Sequence, residues 1–177
     1  MRPWAAQIFM TSTVIIIPSR LKAKRLPDKP LKLIKGKEII LHVYNLAVKS
    51  GAGEVLVATP DETISKLIES NGGKSFLSKE PHETGTDRVF EAFKTFYSSK
   101  PKIIINLQGD MPNLDPNSIL FLSDYLNKGL CDVATLASSL KNKTEIEDKN
   151  VVKVVTNHDI EKSGFSEALD FKRAIDQ

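Results

Sequence analysis

The sequence has 177 residues, of which 41% are hydrophobic and 27% are charged. These values are ordinary for a globular α/β protein, and they exclude a disordered chain or a fibrous repeat. The length suits one domain, or one larger domain that lacks a piece. The net charge of +3 is too small to indicate nucleic-acid binding by itself. No apolar stretch approaches the ~20 residues of a membrane-spanning helix.

The N-terminal residues are apolar in part, but polar residues interrupt them and no cleavage site of a signal peptide follows. Cys131 is the sole cysteine, so the chain cannot form an internal disulfide, which fits a reducing compartment. We therefore expect a cytoplasmic protein with no membrane and no nucleic-acid partner. Because Cys131 precedes a run of residues typical of a strand, we expect its thiol to be buried and unreactive.

Short β-branched runs predict strands, and apolar residues at helical spacing predict helices between them. The predicted strands are residues 14–17, 55–58, 75–77, 103–107, 133–140 and 151–155. The predicted helices are residues 38–50, a helix capped by Asp61 and ended by Asn71-Gly72-Gly73, and residues 87–97 and 117–126. This alternation predicts an α/β fold with a doubly wound, mostly parallel twisted sheet. The apolar stripe of the third helix (Val89, Phe90, Phe93 and Phe96) is interpreted as core.

Two polar segments follow predicted strands: a basic loop after residues 14–17, and Gln108-Gly109-Asp110 after residues 103–107. Ligands of doubly wound sheets bind outside the carboxyl ends of the strands, where the strand order reverses. Because both segments follow such strand ends, we expect them at the same edge of the sheet.

The basic loop carries five cations within ten residues: Arg20, Lys22, Lys24, Arg25 and Lys29. Prolines at positions 18, 27 and 30 restrict its backbone, so the cations stand on a stiff segment. Such a cluster suits a polyphosphate, to which arginine offers paired hydrogen bonds and lysine a point charge. The alternative is an exposed basic loop without a function. A GxxxxGK[ST] motif is absent, which disfavours a P-loop ATPase.

Asp110 can hold Mg²⁺ through one carboxylate oxygen while phosphates and water complete the coordination, or it can be a turn residue that caps its own backbone. The Gln108 amide can pair with the edge of a base. The Thr84-Gly85-Thr86 turn, which opens a helix, offers N–H groups and hydroxyls to an anion or a base, or is an ordinary helix cap. The three histidines (His42, His82 and His158) lack metal-ligand spacing and are expected to be non-catalytic, and no serine lies in a GxSxG motif.

Four motifs now stand in order: VIIIPSRLKAKRLPDKPL, TGTDR, NLQGDMP and NVVKVV. In this order and spacing they resemble the cytidylyltransferases that make CMP-Kdo, from about residue 13 to residue 155. The resemblance implies a Rossmann-like nucleotidyltransferase domain that joins CTP and Kdo, with release of pyrophosphate. CMP-sialate synthetases are similar in the first loop, but QGD together with TGTDR favours the Kdo branch. Met111 stands where many relatives carry an acidic residue.

The resemblance also implies roles for single residues. Arg20, Arg25 and Lys29 would face the CTP phosphates, and Asp110 would hold one Mg²⁺. Gln108 and the turn formed by Thr84, Gly85 and Thr86 would lie at cytosine and ribose. Of these, Arg20, Lys29 and Asp110 are the candidate catalytic residues. The implied chemistry is attack of the anomeric hydroxyl of Kdo on the α-phosphorus of CTP, which needs positioning and charge neutralisation.

Three segments are expected: an unmatched extension at residues 1–12, the nucleotidyltransferase domain at residues 13–156, and a divergent tail at residues 157–177. In the tail, EALDFKRAI resembles the family's ALYFSRAPI, with Asp170 and Lys172 in place of tyrosine and serine. Family members continue beyond the position of Gln177. We therefore expect a C-terminal part to be missing that would hold the second metal carboxylate, much of the Kdo pocket and part of a homodimer interface.

Three functions follow as hypotheses. The first is an active synthetase for lipopolysaccharide biosynthesis, completed by a separately encoded C-terminal piece. The second is an inactive remnant that at most binds CTP. The third, a dinucleotide-binding oxidoreductase, lacks the GxGxxG motif after the first strand. The sequence does not choose between the first two, although the isolated chain is expected to form little or no CMP-Kdo.

Overall fold

The structure, a computed structural model, describes residues 13–22, 26–97 and 101–174. The expected extension at residues 1–12 and the loop residue Arg25 lie outside the described residues. The chain divides into two compact units, Met1–Ala134 and Thr135–Gln177. The boundary expected at residue 156 falls inside the second unit.

The first unit contains a four-stranded parallel sheet and the helices that connect its strands. The strands of the first unit are β1 (Thr13–Pro18), β2 (Leu33–Ile34), β3 (Lys37–Glu38), β4 (Glu54–Thr59), β5 (Lys74–Leu77) and β6 (Ile103–Asn106). Its α-helices are α1 (Ile39–Ser50), α2 (Glu62–Ser70), α3 (Gly85–Phe96) and α4 (Pro116–Asn127), and a 3₁₀ turn covers Lys29–Leu31. The small strands β2 and β3 form an antiparallel pair within the connection from β1 to α1.

The strand order in the main sheet is β5-β4-β1-β6. The chain moves outward from β1 to β4 and β5, and then returns to the other side of β1 to form β6. The order therefore reverses between β1 and β6, and a crevice forms beyond their carboxyl ends. This arrangement confirms the α/β fold with a parallel sheet.

Strand β1 is buried on both faces, as its uninterrupted apolar run predicts. On one face Ile15 and Ile17 join the core that includes Ile40 of α1, Ile64 of α2 and Ile119 of α4. The opposite face belongs to a second cluster, which α3 covers. Its buried members are Val14, Ile16, Leu56, Ala58, Val89 and Ala92. The central strand is thereby fixed between two layers of helices, which holds its carboxyl end in a defined place.

The aromatic stripe of α3 is only partly core, contrary to the sequence interpretation. Val89 is buried and Phe93 packs against the core, but Phe90 is 59% and Phe96 is 41% exposed. Adjacent helical residues point about 100° apart, so Val89 and Phe90 cannot both face the sheet.

Two further expectations at the end of the first unit are wrong. Residues 133–140 form no strand, and Val133 is 85% exposed, because a strand needs a hydrogen-bonded neighbour and this segment has none in the described structure. Cys131 is exposed rather than buried, since it lies in the irregular segment just after the turn at residues 128–130, in which Gly129 has a φ of 70°.

The second unit contains two short helices, α5 (Lys143–Glu147) and α6 (Ile160–Ser163), and two strands, β7 (Lys153–Thr156) and β8 (Ala168–Lys172). The strand predicted at residues 151–155 exists as β7, but it pairs antiparallel with β8 and does not extend the parallel sheet. No helix in the described ranges has the length and apolar content needed to cross a bilayer.

Candidate functional site

A cavity of about 290 Å³ opens beyond the carboxyl ends of β1 and β6. Four segments of the first unit line it: the loop after β1, the 3₁₀ turn, the start of α3 and the loop after β6. The lining residues are Pro18, Ser19, Arg20, Lys29, Pro30, Gly85, Arg88, Gln108, Gly109 and Asp110. The two polar segments expected at one edge of the sheet therefore meet there, as the topology predicts.

Backbone contacts bring these segments together. Ile16 of β1 lies opposite Asn106 of β6, and the Leu107 N–H donates to the Ile16 carbonyl at 3.1 Å. A Cβ on Gly109 would approach the Pro18 carbonyl oxygen to 3.0 Å. Only a residue without a side chain fits at this distance without displacing a neighbour. The glycine of the QGD motif thus allows the loops after β1 and β6 to pack directly against each other.

The described parts of the basic loop, residues 19–22 and 26–28, are held by hydrogen bonds within the first unit. Its Leu21 N–H donates to the Asp61 carboxylate at 2.8 Å, and the Asp28 N–H donates to the Leu21 carbonyl at 3.1 Å. Asp28 adopts a left-handed conformation, with φ at 56°, which aspartate tolerates better than most residues. The turn that follows places Lys29 in the cavity wall.

The sequence predicts that Asp61 caps α2, and its side chain has a different role in the structure. It occupies the N-cap position of α2, as expected, but its side chain makes no capping hydrogen bond. It holds the start of the basic loop instead, 40 residues earlier in the chain. Sequence reasoning missed this role because an aspartate before a helix reads as a cap.

Lys29 and Asp110 form an ion pair at the cavity wall, with 2.7 Å between the ammonium and one carboxylate oxygen. Their side chains are 37% and 51% exposed, so the pair adds little to stability. Its importance is positional. A cation predicted to face phosphates and the carboxylate predicted to hold a metal stand side by side, although 81 residues separate them.

Besides the Lys29 ammonium, the cavity wall contains the guanidinium-bearing residues Arg20 and Arg88. Arg20 is exposed, whereas Arg88 is only 4% exposed. Burial lowers the pKa of Arg88, and the charge of Arg20 lowers it further, while Asp61 and Glu91 act in the opposite direction. Arg88 was given no role from the sequence. The sequence did contain one signal for a role: Arg88 is a cation in the first turns of a predicted helix, and the helix dipole makes that end favourable for anions and unfavourable for cations.

The TGT turn is partly engaged in its own helix cap. The Thr84 hydroxyl accepts from the Asp87 N–H at 3.2 Å, and the Asp87 carboxylate accepts from the Thr84 N–H at 3.2 Å, which completes a capping box. The hydrogen bond from the Thr84 hydroxyl lowers the pKa of Asp87. Gly85 lines the cavity, but Thr84 and Thr86 are not among the lining residues. Thr84 is therefore the N-cap of α3, and its expected place at the nucleotide stays a prediction.

Gln108 is exposed and held in orientation by a short chain of amides. Its amide nitrogen donates to the Asn106 side-chain oxygen at 3.0 Å, and the Asn106 amide nitrogen donates to the Thr86 hydroxyl at 3.3 Å. The chain links the end of β6 to the start of α3. Thr86 thus contributes by holding Asn106, which in turn orients Gln108.

A second polar cluster supports the segment that precedes the TGT turn. The Glu91 carboxylate accepts a hydrogen bond from the Ser78 hydroxyl, and its Oε2 lies 2.7 Å from His82 Nε2. Burial raises the pKa of Glu91, but the hydrogen bonds from Ser78 and His82 outweigh this effect, so the net direction is downward. The cluster ties residues 78–82 to α3 and lies outside the cavity lining.

Among the described residues that line the cavity, Asp110 supplies the one carboxylate for a metal ion. The described part of the chain contains no group of three or more histidine, cysteine, aspartate or glutamate side chains that could hold a metal. Mg²⁺ in nucleotide sites commonly takes one or two carboxylates together with phosphates and water. Asp110, beside the cations at the cavity wall, fits a Mg²⁺ ion of this kind better than a metal held by protein ligands alone.

The chain belongs to the cytidylyltransferase family, whose sequence profile matches residues 14–174. It is 41% identical over 162 residues to the 3-deoxy-manno-octulosonate cytidylyltransferase of Wigglesworthia glossinidia brevipalpis, covering 92% of this chain and 64% of that protein. The enzyme of the same name from Methylorubrum populi is 38% identical over 147 residues, covering 82% and 60%. These relatives confirm the resemblance to the Kdo branch. The chain spans about three fifths of their length.

Two solved structures are similar in fold. CMP:2-keto-3-deoxy-manno-octonic acid synthetase in complex with CTP matches with a TM-score of 0.80 and 36% identity, over 92% of this chain and 64% of that one. A cytidylyltransferase from Leptospira borgpetersenii matches with a TM-score of 0.57 and 23% identity, over 68% and 50%. The second match shows a shared fold only.

Proposed function

We propose that this chain supplies the CTP-binding part of an enzyme that transfers CMP from CTP to Kdo, giving CMP-Kdo and pyrophosphate. The observation that carries the proposal is the convergence of Arg20, Lys29, Gln108 and Asp110 on one cavity at the point where the strand order reverses. The relatives named above act on the same sugar acid, and the similar solved structure holds CTP.

Different residues of the cavity wall are proposed to contact the phosphates and the base of the nucleotide. Arg20 and Lys29 supply positive charge for the phosphates, and Arg25 is proposed to join them. Gln108, oriented by Asn106, is proposed to pair with the cytosine edge, where an amide offers both a donor and an acceptor. Gly85, which lines the cavity at the start of α3, is proposed to lie beside the ribose.

Asp110 is proposed to hold Mg²⁺ that arrives with the nucleotide. When bound, the ion would neutralise phosphate charge and favour the departure of pyrophosphate. The protein's own part is to bind and orient. The anomeric hydroxyl oxygen of the sugar acid forms a bond to the α-phosphorus and loses its proton to water, and the bond from that phosphorus to the pyrophosphate oxygen breaks. Such a displacement needs alignment and positive charge but no covalent nucleophile.

The wider setting is also a proposal. CMP-Kdo would serve lipopolysaccharide biosynthesis in the cytoplasm, which is consistent with a chain that has one cysteine. A homodimer and a separately encoded C-terminal piece are further proposals. Sedimentation of the purified chain, alone and mixed with such a piece, would test both.

Nucleotide choice tests the proposal directly. We expect calorimetric titration in the presence of Mg²⁺ to show CTP binding at least about tenfold more tightly than ATP. Asn106 holds the Gln108 amide in one orientation, and this fixed amide is proposed to match the cytosine edge and not the larger adenine. Equal affinity for the two nucleotides would overturn the assignment to CTP.

A matched pair of aspartates tests the metal role. Asp110→Asn removes the carboxylate at the cavity wall, and we expect it to weaken Mg²⁺-dependent CTP binding by about tenfold or more. Asp115 caps α4 by accepting from the Asn117 N–H at 3.0 Å, and asparagine caps equally well. Asp115→Asn should therefore leave binding unchanged. Equal losses in the two variants would remove the proposed metal role of Asp110.

A further inference from the structure

Two buried polar side-chain atoms of residues that line the cavity have no hydrogen-bond partner among the described residues. Among the described residues, the buried side-chain atoms without a hydrogen-bond partner are Ser19 Oγ, Arg88 Nε and Tyr97 Oη. Ser19 and Arg88 both line the cavity, and they are 5% and 4% exposed. Buried polar groups nearly always form hydrogen bonds, so two unpaired groups in the same cavity wall suggest a partner from outside the protein.

The surroundings of Arg88 make its burial unfavourable within the protein alone. It lies near the N-terminal end of α3, where the helix dipole is positive, and Arg20 lines the same cavity. The charges of Asp61 and Glu91 act favourably on it, but both carboxylates already accept hydrogen bonds elsewhere. Asp61 accepts from the Leu21 N–H, and Glu91 accepts from the Ser78 hydroxyl. Neither carboxylate satisfies Arg88 Nε.

We propose that Ser19 and Arg88 together bind one phosphoryl group of the nucleotide, with Ser19 Oγ and the Arg88 guanidinium as donors and Arg20 as a further cation. This inference rests on the proposed function, because it assigns ligands within the same site. A phosphoryl group fits better than a base edge, since it carries negative charge and several acceptor oxygens that match a hydroxyl beside a forked guanidinium. The unpaired atoms of the free protein are then donors prepared for the ligand.

Inorganic pyrophosphate is the first probe, because it contains phosphoryl groups without a base. We expect Arg88→Met, which keeps most of the side-chain volume, to weaken pyrophosphate binding by about tenfold or more in calorimetry, since a charge-assisted hydrogen bond is lost. Ser19→Ala should weaken it severalfold. Arg88→Lys keeps the charge but not the fork, and should lie between the wild type and Arg88→Met.

Thermal unfolding of the unliganded protein separates a ligand role from a structural one. Removing an unpaired buried polar group costs the folded protein no hydrogen bond, so Ser19→Ala and Arg88→Met should melt no lower than the wild type. Ser70→Ala is the matched control, because that hydroxyl is exposed on α2 and donates to the Leu67 carbonyl. It should leave pyrophosphate affinity unchanged.

Each outcome has a defined meaning. Unchanged pyrophosphate affinity in Ser19→Ala and in Arg88→Met would overturn the inference, as would a lower melting temperature in both with no loss of affinity. Loss of binding for the sugar acid, with pyrophosphate binding intact, would assign the two residues to a carboxylate and also overturn it. Titration of CTP and ATP on the same variants distinguishes a failure of the proposed function from a failure of the phosphoryl site. Equal affinity for CTP and ATP, with the pyrophosphate losses intact, would remove the proposed function and leave the phosphoryl site in place.

Discussion

The two compact units are stabilised in different ways. In the first, residues 14–17 of β1 are each at most 1% exposed and lie between two layers of helices. In the second, every residue of β8 is exposed, and Lys153 is the one buried residue among those described. The Lys153 ammonium donates to the backbone carbonyls of Asp148 and Arg173. Apolar burial therefore supports the first unit, whereas backbone pairing and polar contacts support the second.

This difference explains why the candidate site lies where it does. A cavity wall keeps its geometry only if the strands beneath it are fixed. The carboxyl ends of β1 and β6 rest on a buried core, so the loops that follow them present Arg20, Gln108 and Asp110 in defined positions. Among its described residues, the second unit offers the β7–β8 pair no comparable apolar core.

Amide hydrogen exchange should show the largest contrast. Amides of β1 are paired on both sides of the strand and buried, so they should exchange only through nearly global opening. Amides of β7 pair with one strand and should open locally. We expect exchange about a hundredfold or more slower in β1 than in β7. Similar rates in the two strands would show that the units unfold together.

Core truncation should give the next largest effect. Ile16 is fully buried in the cluster covered by α3, so Ile16→Ala should lower the free energy of unfolding by about 2–5 kcal/mol. Leu169 of β8 is 59% exposed, so Leu169→Ala should change it by no more than about 0.5 kcal/mol. Urea denaturation followed by circular dichroism measures both. A loss of several kcal/mol in Leu169→Ala would mean that β8 is covered by another surface.

The Glu91 cluster gives the smallest expected effect, and it depends on pH. The pKa of Glu91 is lowered in the folded protein from its ordinary 4.5. Its ionised form therefore stabilises the fold above the unfolded pKa, and this contribution disappears as pH falls through the folded value. Glu91→Gln should melt below the wild type at pH 6–7, and the difference should shrink below about pH 4.5. A difference that stays constant with pH would exclude an ionic contribution from Glu91.

Much of the first unit was predictable from the sequence because its signals are local. The β-branched runs of β1 and β4, the helical spacing of α1 and the stop at Gly51 all appear as predicted. The approach of the basic loop to QGD followed from the topology rule alone. These features depend on neighbouring residues and on general rules for connecting parallel strands.

The remaining features depend on partners far along the chain. The Lys29–Asp110 pair spans 81 residues, and the contact of Asp61 with Leu21 spans 40, so neither is visible in a local pattern. Residues 133–140 carry an apolar pattern typical of a strand, but pattern alone does not supply a pairing partner. The burial of Arg88 at the cavity could not be predicted, because arginine is common at exposed helix positions, where it needs no specific role.

The Lys29–Asp110 ion pair has a consequence for how ligands enter. With no ligand bound, Lys29 and Asp110 partly neutralise each other. Under the proposed function, a lone divalent cation at Asp110 would therefore be repelled by the Lys29 ammonium, and a lone anion at Lys29 by the Asp110 carboxylate. A complex that carries cation and anion together satisfies both groups in one event. We therefore expect the two proposed ligands to be thermodynamically coupled, so that each raises the affinity of the protein for the other by the same factor.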